Sequence, residues 1–153
     1  MSINTDSDMN RMIKETTLTH TMEVTVRFSE LDALRMVWHG NYLKYLEDAR
    51  EAWGIRYRLG YMDMYNNGFV APLYDMQLHY RGIATINDRL KVTVTYCNTT
   101  EGRIVFRYEI CNARTGAQIL TAESLQLFLT TDGVFYPTAP DFYQQWKKEH
   151  GLC

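Results

Sequence analysis

NYLKYLEDAREAWGIRYRL, running from Asn41 to Leu59, is the stretch whose period decides the architecture. Tyr42, Leu46, Ala49 and Trp53 form one apolar stripe, with Leu43 and Arg50 beside it, while Lys44, Asp48 and Glu51 fall on the opposite side. That spacing predicts an amphipathic helix with one buried face. Asn41 is placed to cap its start, because a side-chain oxygen there accepts from a first-turn amide, and Gly60 is placed to end it.

On both sides of this stretch the period changes. Before the helix, Met22, Val24, Val26 and Phe28 alternate with Thr21, Glu23, Thr25 and Arg27, which predicts a strand with one buried face. After Gly68 the segments Phe69–Arg81, Arg89–Asn98, Arg103–Ala113 and Ala117–Thr131 read as strands, with turn material at 84–88, 99–102 and 114–116. Leu90, Val92, Val94 and Tyr96 define one covered face, and Ile104, Phe106, Tyr108 and Ile110 another. Asp141 to Glu149, carrying Trp146, reads as a terminal helix too short to stand without packing. The order predicts a two-layer α+β domain in which one long helix covers an antiparallel sheet of about five strands. A single helix hides only part of such a sheet, so a second copy of the chain is expected to protect an edge or face.

With 153 residues, the chain has the length of one domain that buries about 70% of its unfolded surface. Apolar residues at 46% and charged residues at 22% exclude disordered and fibrous classes. A net charge of −2, with no block of like charges, argues against nucleic acid as a partner. Residues 1–20 are polar and aperiodic and read as a loose arm with Met12 and Ile13 as docking points, leaving 21–153 as the domain. No secretory-type apolar stretch or membrane-spanning run occurs, so a cytoplasmic protein is expected. Cys97, Cys111 and Cys153 are widely spaced and read as reduced thiols. His20, His79 and His150 lack partners at metal-ligand spacing, and Ser29 and Ser124 lack the surroundings of a nucleophile elbow. No metal or cofactor is expected.

Chemistry concentrates in FSELDALRMVWHGNY, Phe28 to Tyr42, which joins the first strand to the helix. Asp32 is followed seven residues later by His39-Gly40-Asn41, where the helix begins and its unpaired amides face outward. A carboxylate and an anion-stabilising helix start suit attack on an acyl carbonyl. On these residues alone, Asp32 is equally a turn or capping residue.

Val26-x-Phe28-x-x-x-Asp32-Ala33, followed by Val37-Trp38-His39-Gly40-Asn41-Tyr42-Leu43-x-Tyr45-Leu46-Glu47-x-Ala49-Arg50, resembles the signature of the 4-hydroxybenzoyl-CoA thioesterase-like hotdog proteins. His39 is matched in the subgroup similar to the Tol-Pal-associated acyl-CoA thioesterase. The likeness is sharpest over about Val24 to Arg50. It implies a single hotdog domain that hydrolyses acyl-CoA thioesters to free acid and coenzyme A without a cofactor, as a homodimer or homotetramer. Within it, Asp32 would be the catalytic base or nucleophile, and His39, Gly40 and Asn41 the oxyanion site. The His39 amide would meet the thioester oxygen, with its ring as a second catalytic candidate. Val37, Trp38 and Tyr42 would flank the acyl or thioester pocket, Tyr42 being equally a core residue.

Glu47 is a reserve carboxylate, since some hotdog thioesterases use one from the helix; its plainer reading is an ion pair with Arg50. The chain departs from its relatives at Leu34-Arg35, where small residues, often glycine, are common. That departure is expected to alter loop path or acyl preference, or to let Arg35 bind an anionic part of the substrate. An acyl-carrier-protein thioesterase and a non-catalytic acyl-CoA-binding hotdog protein remain alternatives. A hotdog dehydratase ranks below both, lacking the expected Asp/His pairing on a later segment.

Overall fold

The computed structural model describes residues 18–152, so the docking points Met12 and Ile13 and the terminal Cys153 lie outside the described residues. Strand β1, Thr19–Thr25, leads through a loop into helix α1, Tyr42–Tyr57, and the short helix α2, Tyr61–Tyr65. Strands β2 (Phe69–Val70), β3 (Leu73–Tyr80), β4 (Arg89–Cys97), β5 (Arg103–Asn112), β6 (Gln118–Leu127) and β7 (Leu129–Thr130) follow, and α3, Asp141–Glu149, comes last.

Five strands pair antiparallel in the order β1-β4-β5-β6-β3, with β2 and β7 forming a separate ribbon. Alternation sets which face is covered: Leu90, Val92, Val94 and Tyr96 of β4 and Ile104, Phe106 and Ile110 of β5 are fully buried. Thr93, Thr95, Arg107 and Glu123 lie on the other, polar face, where Arg107 pairs with Glu123 at 3.3 Å. Helix α1 lies on the apolar face with Tyr42, Leu46, Ala49 and Trp53 buried, the predicted stripe. Trp53 anchors it: its ring meets Phe106 and Tyr96, and its Nε1 donates to the Leu18 carbonyl at 2.8 Å. Helix α3 closes the far end, with Trp146 donating to the Tyr57 carbonyl at 2.7 Å. Together, these elements form the α+β hotdog architecture that the family resemblance implies.

Several boundaries differ for local reasons. The alternation of β1 stops before Phe28, which is 79% exposed, because Glu30 Oε1 accepts the Arg27 amide at 2.8 Å and folds 28–30 into a tight turn. Asn41 is already helical and does not cap α1; its Nδ2 donates to the Glu30 carbonyl at 2.8 Å. Arg58, in the left-handed region at φ 58°, terminates α1 by bonding to the Gly54 carbonyl, whereas Gly60 opens α2. The predicted strand from Phe69 is interrupted at Ala71–Pro72, since proline supplies no ladder amide.

Candidate active site

The loop between β1 and α1 is held at both ends. Asp32 accepts the Leu34 amide on Oδ1 at 2.8 Å and the Arg35 amide on its carbonyl at 3.0 Å, while its own amide donates to Met36 at 2.9 Å. This turn puts Arg35 at φ 63°, a conformation that costs a non-glycine residue about 1–2 kcal/mol. Thr85 Oγ1 donates to the Arg35 carbonyl at 2.8 Å, and the Val37 amide donates to Ala84 at 2.9 Å. The Leu34-Arg35 pair is therefore accommodated in a turn of the kind that glycine favours, and both side chains are exposed.

At the other end, the Glu30 carbonyl accepts both the Trp38 amide, at 3.0 Å, and Asn41 Nδ2. The Glu30 carboxylate also accepts the Tyr45 hydroxyl at 2.9 Å, so the loop is tied to the buried side of α1. Residues His39–Asn41 form one tight turn that feeds α1. The Asn41 amide bonds to the Trp38 carbonyl at 2.8 Å, and among the described residues the amides of His39 and Gly40 have no backbone acceptor, as a helix start presents. A Cβ on Gly40 would lie 2.2 Å from the Trp38 ring, so glycine here is what lets the indole lie across the helix start.

The predicted residues divide by environment. Val37 and Tyr42 are buried in the core at 4% exposure, while Trp38 is 48% exposed and His39 is exposed between Trp38 and Tyr80. Tyr80, at the end of β3, donates to the His39 carbonyl at 3.2 Å and packs against Tyr42. Nothing in the sequence sets it apart from the other tyrosines of a chain that has 11; only strand register brings it to the loop. Burial pushes the Tyr42 hydroxyl upward, with smaller contributions from the nearby Tyr80, Asp32 and Asp88. Tyr45 is raised by burial and then by its bond to Glu30.

Glu47 is exposed on α1 and forms no ion pair with Arg50, which turns inward instead. Between α1 and β3 runs a cavity of about 420 Å³ whose walls include Leu43, Leu46, Glu47, Arg50 and Met76. Leu43 is the second residue of α1, so this groove starts within one turn of the unpaired amides. A cavity of about 430 Å³ on the polar face of the sheet lies away from that helix start. No group of side chains suited to hold a metal ion occurs among the described residues.

Residues 26–146 match the model of the thioesterase-like superfamily. YneP of Bacillus subtilis (strain 168), a protein named as an acyl-CoA thioesterase, is 34% identical over 59 residues, 39% of this chain and 43% of that protein. The alignment thus spans less than half of that curated relative. Among solved structures, the DHNA-CoA thioesterase of Staphylococcus aureus superposes with a TM-score of 0.75 at 26% identity, covering 87% of this chain and 88% of the other. The 4-hydroxybenzoyl-CoA thioesterase of Pseudomonas sp. strain CBS-3 superposes at 0.72 with 20% identity, covering 84% and 98%, a likeness of fold. With residues 26–146 matched over the loop, the long helix and most of the sheet, the chain belongs to the thioesterase-like superfamily.

Proposed function

We propose that the chain hydrolyses acyl-CoA thioesters, with Asp32 as the catalytic carboxylate and the amides of His39 and Gly40 as the oxyanion donors. The observation that carries this reading is the loop braced by Glu30 at one end and by Ala84 and Thr85 at the other, which holds a carboxylate and a pair of unpaired amides on one segment. As a base, Asp32 takes a proton from water while the water oxygen attacks the thioester carbon. Negative charge then grows on the carbonyl oxygen facing the helix start, where fixed amide dipoles stabilise it without reorganisation. The C–S bond breaks, the carboxylic acid is released, and the coenzyme A thiolate takes up the proton. As a nucleophile, Asp32 would instead attack the thioester carbon and expel coenzyme A thiolate, giving a mixed anhydride that water opens to the free acid and the restored carboxylate, the released proton passing to the thiolate.

His39 contributes its backbone amide in this scheme. Glu47 begins about 12 Å along the axis from His39, which favours Asp32 as the working carboxylate. The groove beside Leu43 takes the acyl group. The edge strand β3, with Leu73, Tyr74 and Tyr80 more than half exposed, pairs with a second copy to give a homodimer or larger homo-oligomer. A cytoplasmic location belongs to the same reading; no helix among the described residues is long and apolar enough to cross a membrane.

Asp32→Asn preserves the turn, because its side-chain oxygen still accepts the Leu34 amide, and removes the base. Turnover of acyl-CoA, followed by release of free thiol, should fall by about 10²–10⁴-fold, whereas His39→Ala, which keeps the amide, should cost less than tenfold. A normal rate in Asp32→Asn would discard the mechanism. The engagement of Asp32 Oδ1 by Leu34 favours a second reading, a non-catalytic acyl-CoA-binding protein. Tight acyl-CoA binding by the wild type without thiol release would select it.

A further inference from the structure

In the groove between α1 and β3 stands a cation, Arg50, that has no counter-ion among the described residues. Arg50 Nε donates to Gln126 Oε1 at 3.0 Å, and Nη2 donates to the Leu59 carbonyl at 3.2 Å. Its guanidinium carbon lies 4.4 Å from the Phe106 ring centroid and 5.4 Å from that of Trp53. The ion pairs found among the described residues join Arg103 to Glu101 and Arg107 to Glu123, so none involves Arg50. Burial lowers its pKa to about 10, which still leaves it charged at neutral pH.

The surroundings keep that charge in place. A Cβ on Gly54 would lie 2.9 Å from Nη1, so the missing side chain there gives the guanidinium its room. Gln126 is fixed by donating from Nε2 to the Ala71 carbonyl at 2.6 Å, which turns its oxygen toward Arg50. Tyr108 and Ser124 line the same cavity and share a hydroxyl–hydroxyl bond of 3.1 Å. Leu43, Leu46, Ala71, Leu73 and Met76 supply the apolar part of the wall, and Glu47 stands at its exposed rim. A buried arginine without an acid is expensive, and a hydrophobic residue of similar volume is often at least as stable. The cavity thus combines an apolar stretch beside Leu43, Leu46 and Met76 with hydrogen-bonding groups gathered at Arg50, Gln126, Tyr108 and Ser124, the pattern of a site that orients a ligand.

Distance limits what that ligand is. From Gly40 to Arg50, α1 rises about 15 Å, so an acyl group bound with its carbonyl at the helix start needs an extended chain of medium length to reach the guanidinium. Glu47 stands one turn nearer the helix start on the exposed side, where solvent screens its charge.

We infer that Arg50 is a specificity-determining residue: with Gln126 and the Tyr108–Ser124 hydroxyl pair, it makes the end of the α1–β3 groove a receptor for an oxygen acceptor at the distal end of a medium-length acyl group. The shared chemistry is a hydroxyl or a carboxylate in place of a terminal methyl. The inference rests on the proposed function in taking the groove as the place of the acyl group.

The test compares dodecanoyl-, omega-hydroxydodecanoyl- and dodecanedioyl-CoA. Affinity is measured by calorimetry on Asp32→Asn protein, and hydrolysis on the wild type. The two oxygenated ligands should bind at least tenfold more tightly than dodecanoyl-CoA. A larger gain for the carboxylate identifies charge as the feature read; equal gains identify the hydrogen bond alone. Adding Arg50→Met should bring the affinity ratio to within twofold of one, whereas a purely structural arginine would weaken all three ligands alike. If Arg50→Met does not fold, Gln126→Leu loosens the guanidinium, and the ratio should fall there too. Equal affinity for all three ligands, or a preference unchanged in a folded variant, overturns the inference. Selective binding without wild-type hydrolysis would sink the proposed function and leave this inference standing; hydrolysis without selectivity would do the reverse.

Discussion

Replacing Gly40 with alanine tests whether the packing of Trp38 over the helix start sets the geometry of the site. A Cβ at Gly40 would fall 2.2, 2.5 and 2.8 Å from three carbons of the indole, so either the ring or the backbone must move. Trp38 is 48% exposed; about half of its side chain, roughly 100 Å², is therefore packed. Expelling the ring forfeits up to about 2.5 kcal/mol at 25 cal/mol per Å², while alanine in place of glycine in a helical turn returns about 1 kcal/mol. The expected loss is about 1.5 kcal/mol, or about 3–6 °C in Tm for a chain of this size. If the backbone moves instead, a shift of about 1 Å at the His39 and Gly40 amides costs up to a hundredfold in turnover. Urea unfolding and acyl-CoA hydrolysis, measured on Gly40→Ala, Trp38→Ala and the double variant, separate the two. In the Trp38→Ala background, alanine at position 40 has nothing to strike and should be harmless. An equal penalty with and without the indole would refute the reasoning.

The hydroxyl of Tyr45 has its pKa raised by burial and by Glu30, so the folded chain keeps a proton that the unfolded chain releases above about pH 10. That contribution is fully present below the unfolded pKa and is lost as pH rises past it, at up to about 1.4 kcal/mol per pH unit. Tyr42 and Tyr108 act in the same direction, while Arg50, lowered to about 10, acts in the opposite one. Tyr45→Phe should therefore flatten the alkaline fall in urea midpoint, and an unchanged slope would count against the assignment. On the β3 edge, Leu73→Lys combined with Tyr74→Lys should shift sedimentation toward the monomer, since both side chains are more than half exposed in one protomer. A doubly substituted protein that sediments as the wild type would place the interface elsewhere.

How much of the molecule can be read from its sequence follows the range of the forces involved. The α1 stripe and the alternation of β4, β5 and β6 are local patterns whose burial repays them, so Tyr42, Leu46, Ala49 and Trp53 can be recognised by spacing. Asp141–Glu149 is likewise found where the pattern places it. The failures are contests between neighbours. Phe28 continues an apolar alternation, but the Glu30 carboxylate captures the Arg27 amide and ends the strand. Asn41 has the right side chain for a cap, but the Glu30 carbonyl lies within its reach. Glu47 and Arg50 have the spacing of a surface pair, but Gln126 and the Leu59 carbonyl draw the arginine inward. Each winner comes from a residue three to seventy-six positions away, beyond what periodicity encodes.

The same logic weighs the two arginines that stand near the proposed acyl site. At the Leu34-Arg35 departure, the sequence leaves open an altered loop path, an altered acyl preference or an anion-binding Arg35, and the structure places Arg35 at φ 63° with its amide on Asp32 and its carbonyl on Thr85. Paying a conformational penalty there leaves the Asp32 turn closed, so the substitution changes the side chains presented beside the carboxylate more than the carboxylate's own hydrogen bonds. Arg35 is exposed and touches solvent, while Arg50 is enclosed on most sides and keeps accessible surface toward the groove. Charge in water discriminates weakly between ligands, because screening and hydration compete with any contact. A guanidinium already stripped of water has paid much of its desolvation cost in folding and has fixed its donors, so an acceptor arriving there meets less competition. If the acyl group is recognised by a cation, the physical case for Arg50 is therefore stronger than that for Arg35, even though Arg35 stands nearer to Asp32 in sequence.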